Sequence, residues 1–373
     1  MKKKLTALAL ALVLALSLCL TGCGGGGGDT LTLNVYNWGE YISDGSDGSL
    51  DTIEAFETWY EETYGQKVNV NYTTFASNED MYAKLKSGAV SYDVIIPSDY
   101  MIARLVEEDM LLPLNFDNIP NYQYVDEAYR NTSYDPENQY SIPYTWGTVG
   151  IIYNTTMVDE PITSWDAMFD EKYAGNVLMI RNSRDALAAA LLDLGYDLNT
   201  TDTAQIQEAY ELLADAKNKG VYQAFVMDEI FNKMEGGNAA IAMYYAGDYL
   251  TMLENNPDLA FVVPEEGSNW FVDAMCVLKD AQHKEEAEEW INFIAGTDAS
   301  LANMDYIWYA SPNAEALAEY PAYYEEQNGE ALDQELYNIM AAPADVLDRC
   351  ELYVNLPQET LKYYDKLWTQ LGV

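Results

Sequence analysis

Apolar and polar residues alternate at two different periods along this chain, and the segments with each period alternate in turn. Leu31, Leu33 and Val35 occupy every second position and predict a first strand that ends at Tyr36-Asn37-Trp38. From Leu50 to Tyr64 the spacing lengthens. Ile53, Phe56 and Tyr60 share one face of a predicted helix, and Gly65 stops it. Val68, Val70 and Tyr72 return to the strand period, and a helix capped at Ser77 follows. Asp93-Val94-Ile95-Ile96 reads as a buried strand that opens into Pro97-Ser98-Asp99-Tyr100 and another helix. Ser141 to Tyr153 is apolar and aromatic, which predicts an extended crossover rather than a linker.

A second series repeats the scheme. Val177 to Ile180 predicts a strand, and a helix opens at Asn182-Ser183 and runs through an Ala- and Leu-rich stretch to Leu194. Residues 203–218 form another helix. Ala239 to Tyr244 is a strand whose end, Tyr245-Ala246-Gly247-Asp248, turns into a helix. Phe261 to Val263 and Phe271 to Leu278 are further strands, and a last helix covers Leu356 to Leu371. Strands alternating with helices predict an α/β fold with largely parallel sheets. At 373 residues there is room for two domains, with no internal repeat and no Pro-rich linker between them.

The first residues change the picture by adding an address. Lys2 to Lys4 precede an apolar run from Leu5 to Leu18, too short to span a bilayer comfortably but suited to a signal peptide. Leu20-Thr21-Gly22-Cys23 resembles a bacterial lipobox, which implies removal of residues 1–22 and a diacylglycerol on Cys23. Gly24 to Gly28 then form a flexible tether within residues 23–30. The expected location is the outer face of the cell membrane, or the periplasm.

Charge narrows the partners. Lys and Arg number 19 against 61 Asp and Glu, a formal net charge of −42. Such a surface repels nucleic acid and concentrates small cations. His283 is the only histidine and is expected at the surface, so no His-based triad or multi-His metal site can be built. No cofactor is expected. Cys276 and Cys350 remain as a pair that an oxidising compartment would allow to bond.

Candidate chemistry gathers at the predicted strand ends: Trp38 and Tyr41, Ser98 and Tyr100, Asp185, Tyr245 and Asp248, Phe271 and Asp273. In open α/β sheets ligands bind outside the carboxyl ends of strands. Rings cover methylenes and attract an ammonium, and carboxylates bind it with charge-assisted hydrogen bonds. Asp185 and Asp248 fall in or before the first turn of a helix, which favours their ionised forms.

Five stretches carry a specific likeness: Tyr36-Asn37-Trp38-Gly39-Glu40-Tyr41, Ser77 to Leu85, Tyr92-Asp93-Val94-Ile95-Ile96-Pro97-Ser98, Ser141 to Gly147, and Ser311-Pro312-Asn313. Together they resemble the spermidine/putrescine-binding proteins of polyamine ABC importers along nearly the whole mature chain. The resemblance implies a hinged, two-lobed periplasmic-binding-protein-like fold of type II, with the ligand cleft between the lobes. Residues 31–147 with about 273–313 are the expected first lobe, and 148–272 with about 314–373 the second.

The resemblance also implies a monomeric binder that delivers its ligand to a permease and, through it, an ATPase, and that is not an enzyme. It carries ligand contacts onto Trp38, Tyr41, Ser98, Tyr100, Asp185, Tyr245, Asp248, Phe271 and Asp273, with Tyr309 as a further wall. Three departures stand out. Gly39 replaces a frequent Ser or Thr, Asn182 replaces an acid of spermidine binders, and Tyr245 replaces a Trp. Retention of Asp248 tilts the expectation towards putrescine. The same rings and carboxylates would also suit a binder of sugar or ferric iron, or a glycoside hydrolase.

Overall fold

The computed structural model describes residues 30–373 apart from Ala89. The expected leader, Cys23 and the Gly tether lie outside the described residues. One curled sheet carries strands β1 (Leu31–Trp38), β2 (Val68–Phe75), β3 (Val94–Ile95), β4 (Ser141–Asn154) and β5 (Val177–Ile180), then β6 (Tyr222–Val226), β7 (Ile241–Tyr245), β8 (Leu259–Val262), β9 (Ser268–Val277) and β10 (Cys350–Glu351). Their spatial order is β2-β1-β3-β9-β4-β7-β5-β6, with β10 beside β9 and β8 beside β4.

The sheet has two ends, and β4 belongs to both. Its first half, Ser141 to Thr148, pairs with β9, and its second half, Val149 to Asn154, pairs with β7 and β8. That dual membership explains its composition. Only Tyr153 of its fourteen residues is not fully buried, so the strand reads as continuously apolar instead of alternating. The expectation of largely parallel sheets is corrected here. Pairings β1–β2, β1–β3, β5–β6 and β5–β7 are parallel, but every pairing of β4, and that of β3 with β9, is antiparallel. The crossing strand β4 runs against all its neighbours because it returns the chain from one end of the sheet to the other, and β9 does so against β3 and β4 while running parallel to β10.

Helices pack around this sheet and start where local chemistry allows. In α1 (Thr52–Tyr64) the Asp51 carboxylate accepts from the Glu54 N–H, and Gly65 closes the helix at φ 68°. In α2 (Asn78–Ser87) the Ser77 hydroxyl accepts from the Asp80 N–H. Next come α3 (Asp99–Glu107), α4 (Ser183–Asp193), α5 (Thr203–Asn218), α6 (Glu229–Glu235) and α7 (Ala246–Asn255). The C-terminal part adds α8 (Lys284–Ile294), α9 (Thr297–Ile307), α10 (Ala314–Asn328), α11 (Gln334–Met340), α12 (Ala344–Leu347) and α13 (Gln358–Leu371). Helix α4 is buried almost all round, between the sheet, α5 and α13, which accounts for its Ala- and Leu-rich sequence.

The two described cysteines are free and buried. Cys276 sits on β9, whereas Cys350 pairs with Ser268 at the far end of the same strand. Eight residues of strand hold them about 26 Å apart, well beyond the ~7 Å Cα limit of a disulfide. His283 is half-buried, with its backbone N–H donating to the Asp93 carboxylate at 3.1 Å.

Candidate ligand-binding site

Five strands point their carboxyl ends at one hollow. Trp38 ends β1, Ser98 and Tyr100 follow β3, Asp185 follows β5, Asp228 follows β6, and Tyr245 ends β7. Phe271 and Asp273 come from the middle of the crossing strand β9, and Tyr309 from the segment after α9. The cavity encloses about 690 Å³ of empty space, counting its mouth open to solvent. All ten predicted contacts line it: Trp38, Tyr41, Ser98, Tyr100, Asp185, Tyr245, Asp248, Phe271, Asp273 and Tyr309.

Tyrosine hydroxyls hold the carboxylates in place. Tyr41 donates to Asp273 Oδ2 at 2.8 Å and lies 2.5 Å from the Thr145 hydroxyl. Asp185 accepts from both sides, from Tyr245 at Oδ2 and Tyr353 at Oδ1, each at 2.9 Å. Tyr309 donates to Asp248 Oδ2 at 3.0 Å. It can do so because residue 247 is glycine, where any Cβ would overlap the Tyr309 ring. The rings also brace each other. Tyr41 meets Tyr309 edge-on at 4.9 Å, and Phe271 lies 5.5 Å from Tyr245 and 6.1 Å from Tyr309.

Charge in the cavity is one-sided. Its lining includes Glu40, Asp185, Asp228, Asp248 and Asp273, and no Lys, Arg or His among the described residues. Arg184 is 2 % exposed, does not line the hollow, and donates to the Val354 carbonyl and the Asn199 side chain. Its guanidinium stacks over Tyr353 at 4.5 Å and Tyr100 at 5.2 Å. The carboxylates fall into two groups by mutual influence. Asp185 and Asp273 repel one another, while Asp248 feels Asp228 and Glu40.

Burial governs their protonation. It pushes Asp248 up to about 8, against the Tyr309 hydrogen bond and with help from Asp228 and Glu40. It pushes Asp185 and Asp273 each up to about 6, against hydrogen bonds from Tyr353 and Tyr245 at Asp185, and against the neighbouring Ser98 hydroxyl and the Tyr41 hydrogen bond at Asp273. The expectation that helix amino ends favour the ionised form is corrected for Asp248, whereas Asp185, at about 6, stays mostly a carboxylate at pH 7. The loss of water outweighs a helix-end contribution of roughly 0.3–2 kcal/mol. Asp273 shows the need most directly. It is 3 % exposed, and its Oδ1 has no hydrogen-bond partner among the described residues. A buried anion with a free lone pair calls for a donor, preferably a cationic one.

Residues 51–328 match the family model described as bacterial extracellular solute-binding protein. The chain is 33% identical over 292 residues to the spermidine/putrescine-binding periplasmic protein of Escherichia coli strain K12, covering 77% of this chain and 79% of that one. It is 27% identical to the putrescine-binding periplasmic protein SpuD of Pseudomonas aeruginosa, with 92% of each covered. A solved structure of PotD, the spermidine/putrescine ABC transporter substrate-binding protein of Streptococcus pneumoniae, superposes with a TM-score of 0.72. It is 33% identical and covers 92% of this chain and 98% of that one. The chain belongs to the bacterial extracellular solute-binding protein family.

Several wall residues of this solute-binding protein escaped the sequence reading. Asp228 is the main one. It follows β6, a strand whose weak alternation, Tyr222 to Val226, gave no signal, so its carboxyl end went unnoticed. Tyr353 is another: it lies 168 positions from Asp185 in the chain, and the structure seats its hydroxyl on that carboxylate. Asn182, the replacement for an acid, does two jobs. It lines the cavity and caps α4, with its Oδ1 accepting from the N–H groups of Arg184 and Asp185.

Proposed function

We propose that this protein captures a small polyamine, putrescine or spermidine, outside the cell and hands it to an ABC importer without altering it chemically. The observation that carries this reading is the wall of the cavity, where five carboxylic acids and a set of edge-on and tilted rings meet no basic side chain among the described residues. The two acidic groups suit two ammonium ions, and the rings between them suit the methylenes that join such ions. Asp273 Oδ1, buried and unpartnered, accepts from one ammonium. The names of the relatives agree with this ligand class. A ligand carboxylate would find no cation in the lining, which disfavours amino acids.

Residues 31–147 with about 273–313, and 148–272 with about 314–373, are the lobes that close on the ligand. Strands β4 and β9 are the connections that flex. Closure removes the amine from water, so a ligand lacking one of the two charges leaves an acidic group unpaired and is rejected. The protein works as a monomer held at the membrane by lipid on Cys23, with a permease and its ATPase as partners.

Calorimetry with putrescine and spermidine tests the reading. Binding at micromolar or tighter affinity is expected, and Asp273→Ala weakens it at least ~10-fold, the loss of one charge-assisted pair. Absence of heat with every polyamine, in a folded protein, would sink the assignment.

A further inference from the structure

The segment after β1 and the segment after β6 meet across the mouth of the cavity at Gly39 and Asp228. A Cβ on residue 39 would stand 2.8 Å from Asp228 Oδ2, closer than real side chains approach. Glycine at this position therefore does more than remove a hydroxyl: it leaves the space that a carboxylate fills. Asp228 Oδ1 accepts weakly from the Tyr244 hydroxyl at 3.4 Å, and Oδ2 accepts no hydrogen bond from the described residues. Both Asp228 and Gly39 line the cavity, beside Glu40. Asp228 is also the neighbouring acid that raises Asp248 most, ahead of Glu40.

We propose that Asp228 is a specificity-determining residue that makes the Asp248 end of the cavity demand a full positive charge, and that Gly39 is what admits it. The inference rests on the polyamine reading and adds to it. Asp228 and Asp248 together bind one ammonium, whose donors reach both carboxylates. A neutral end group gains no charge-assisted pair there and leaves Asp248 protonated beside Asp228, whereas an ammonium is drawn by both carboxylates. Asp228 is supported from its own lobe by Tyr244, while Gly39 comes from the facing one. The pair therefore forms fully only when the lobes are shut. Charge recognition at this end is thereby coupled to closure.

The test compares putrescine with 4-amino-1-butanol, which keeps the length but exchanges one ammonium for a hydroxyl. In the unmodified protein putrescine binds more tightly by a ratio that calorimetry measures. In Asp228→Asn that ratio falls by ~10-fold, because the ammonium loses one of its two carboxylate partners while the hydroxyl loses far less. A purely structural role would weaken both ligands alike and leave the ratio unchanged, which would overturn the proposal.

A second variant guards against misfolding. Gly39→Ala drives Asp228 aside and lowers the same ratio, yet in an Asp228→Asn background it adds less than ~3-fold, since both changes act on one group. Full additivity of the two changes overturns the role given to Gly39. If the unmodified protein binds no polyamine at all, the broader reading fails instead, and the two failures are distinct.

Discussion

Proton release on ligand capture is a quantitative consequence of the buried carboxylates. Asp248 is pushed up to about 8 and Asp185 and Asp273 to about 6, with burial as the first cause in each case. At pH 7 a group at 8 is ~90% protonated and a group at 6 ~10% protonated. The ligand stays charged, because primary ammonium ions titrate near ~10. If all three carboxylates ionise to receive it, roughly one proton leaves per ligand at pH 7, and about two at pH 6. The binding constant should then fall ~10-fold or more between pH 7 and pH 6, and level off above pH 8.

Calorimetry at fixed pH in two buffers of different ionisation enthalpy reads this proton number directly. A count of zero refutes the reasoning, because the carboxylates would then be ionised, and hence hydrated, before the ligand arrives. The same shifts act on stability with a definite sign. A carboxyl raised in the folded state favours folding while protonated, so this contribution is complete below pH ~4 and is lost as pH rises through 6 and 8. Between pH 5 and pH 8 the unliganded protein should therefore lose stability at these three sites, and putrescine should restore it most at the alkaline end.

Other expectations follow from single contacts. Gly247→Ala places a methyl group in the Tyr309 ring; it should cost ~1–3 kcal/mol in thermal unfolding and weaken putrescine binding, since Tyr309 no longer reaches Asp248. Unchanged unfolding and binding would show that the ring has room to move. Cys276 and Cys350 should both remain thiols under oxidising conditions, reacting with a thiol reagent only after denaturation, and reductant should leave the melting temperature unchanged.

Much of the architecture is written in local periodicity. Leu33 and Val35 alternate because one face of β1 is buried, Asp51 and Ser77 cap helices through their own side chains, and Gly65 stops one by adopting φ 68°. These signals act over a few residues, so a linear reading finds them. The residues at strand ends were legible for the same reason: a strand can be found, and its end then marks a mouth. Asp228 was not, because β6 is half-exposed and carries no strong alternation.

What the chain alone determined is which side chains would be available: rings and acids at the ends of recognisable strands, with no arginine among the ten candidate contacts. Only the folded arrangement decided their chemistry. A carboxylate's ionisation depends on the water it loses and the charges set beside it, and neither is a property of sequence neighbours. Asp248 and Glu40 are 208 positions apart, and Asp185 and Tyr353 are 168 apart, yet each pair acts together in one hollow. The partner of Gly39 was invisible for the same reason, since an empty volume has meaning only once something from another part of the chain has filled it.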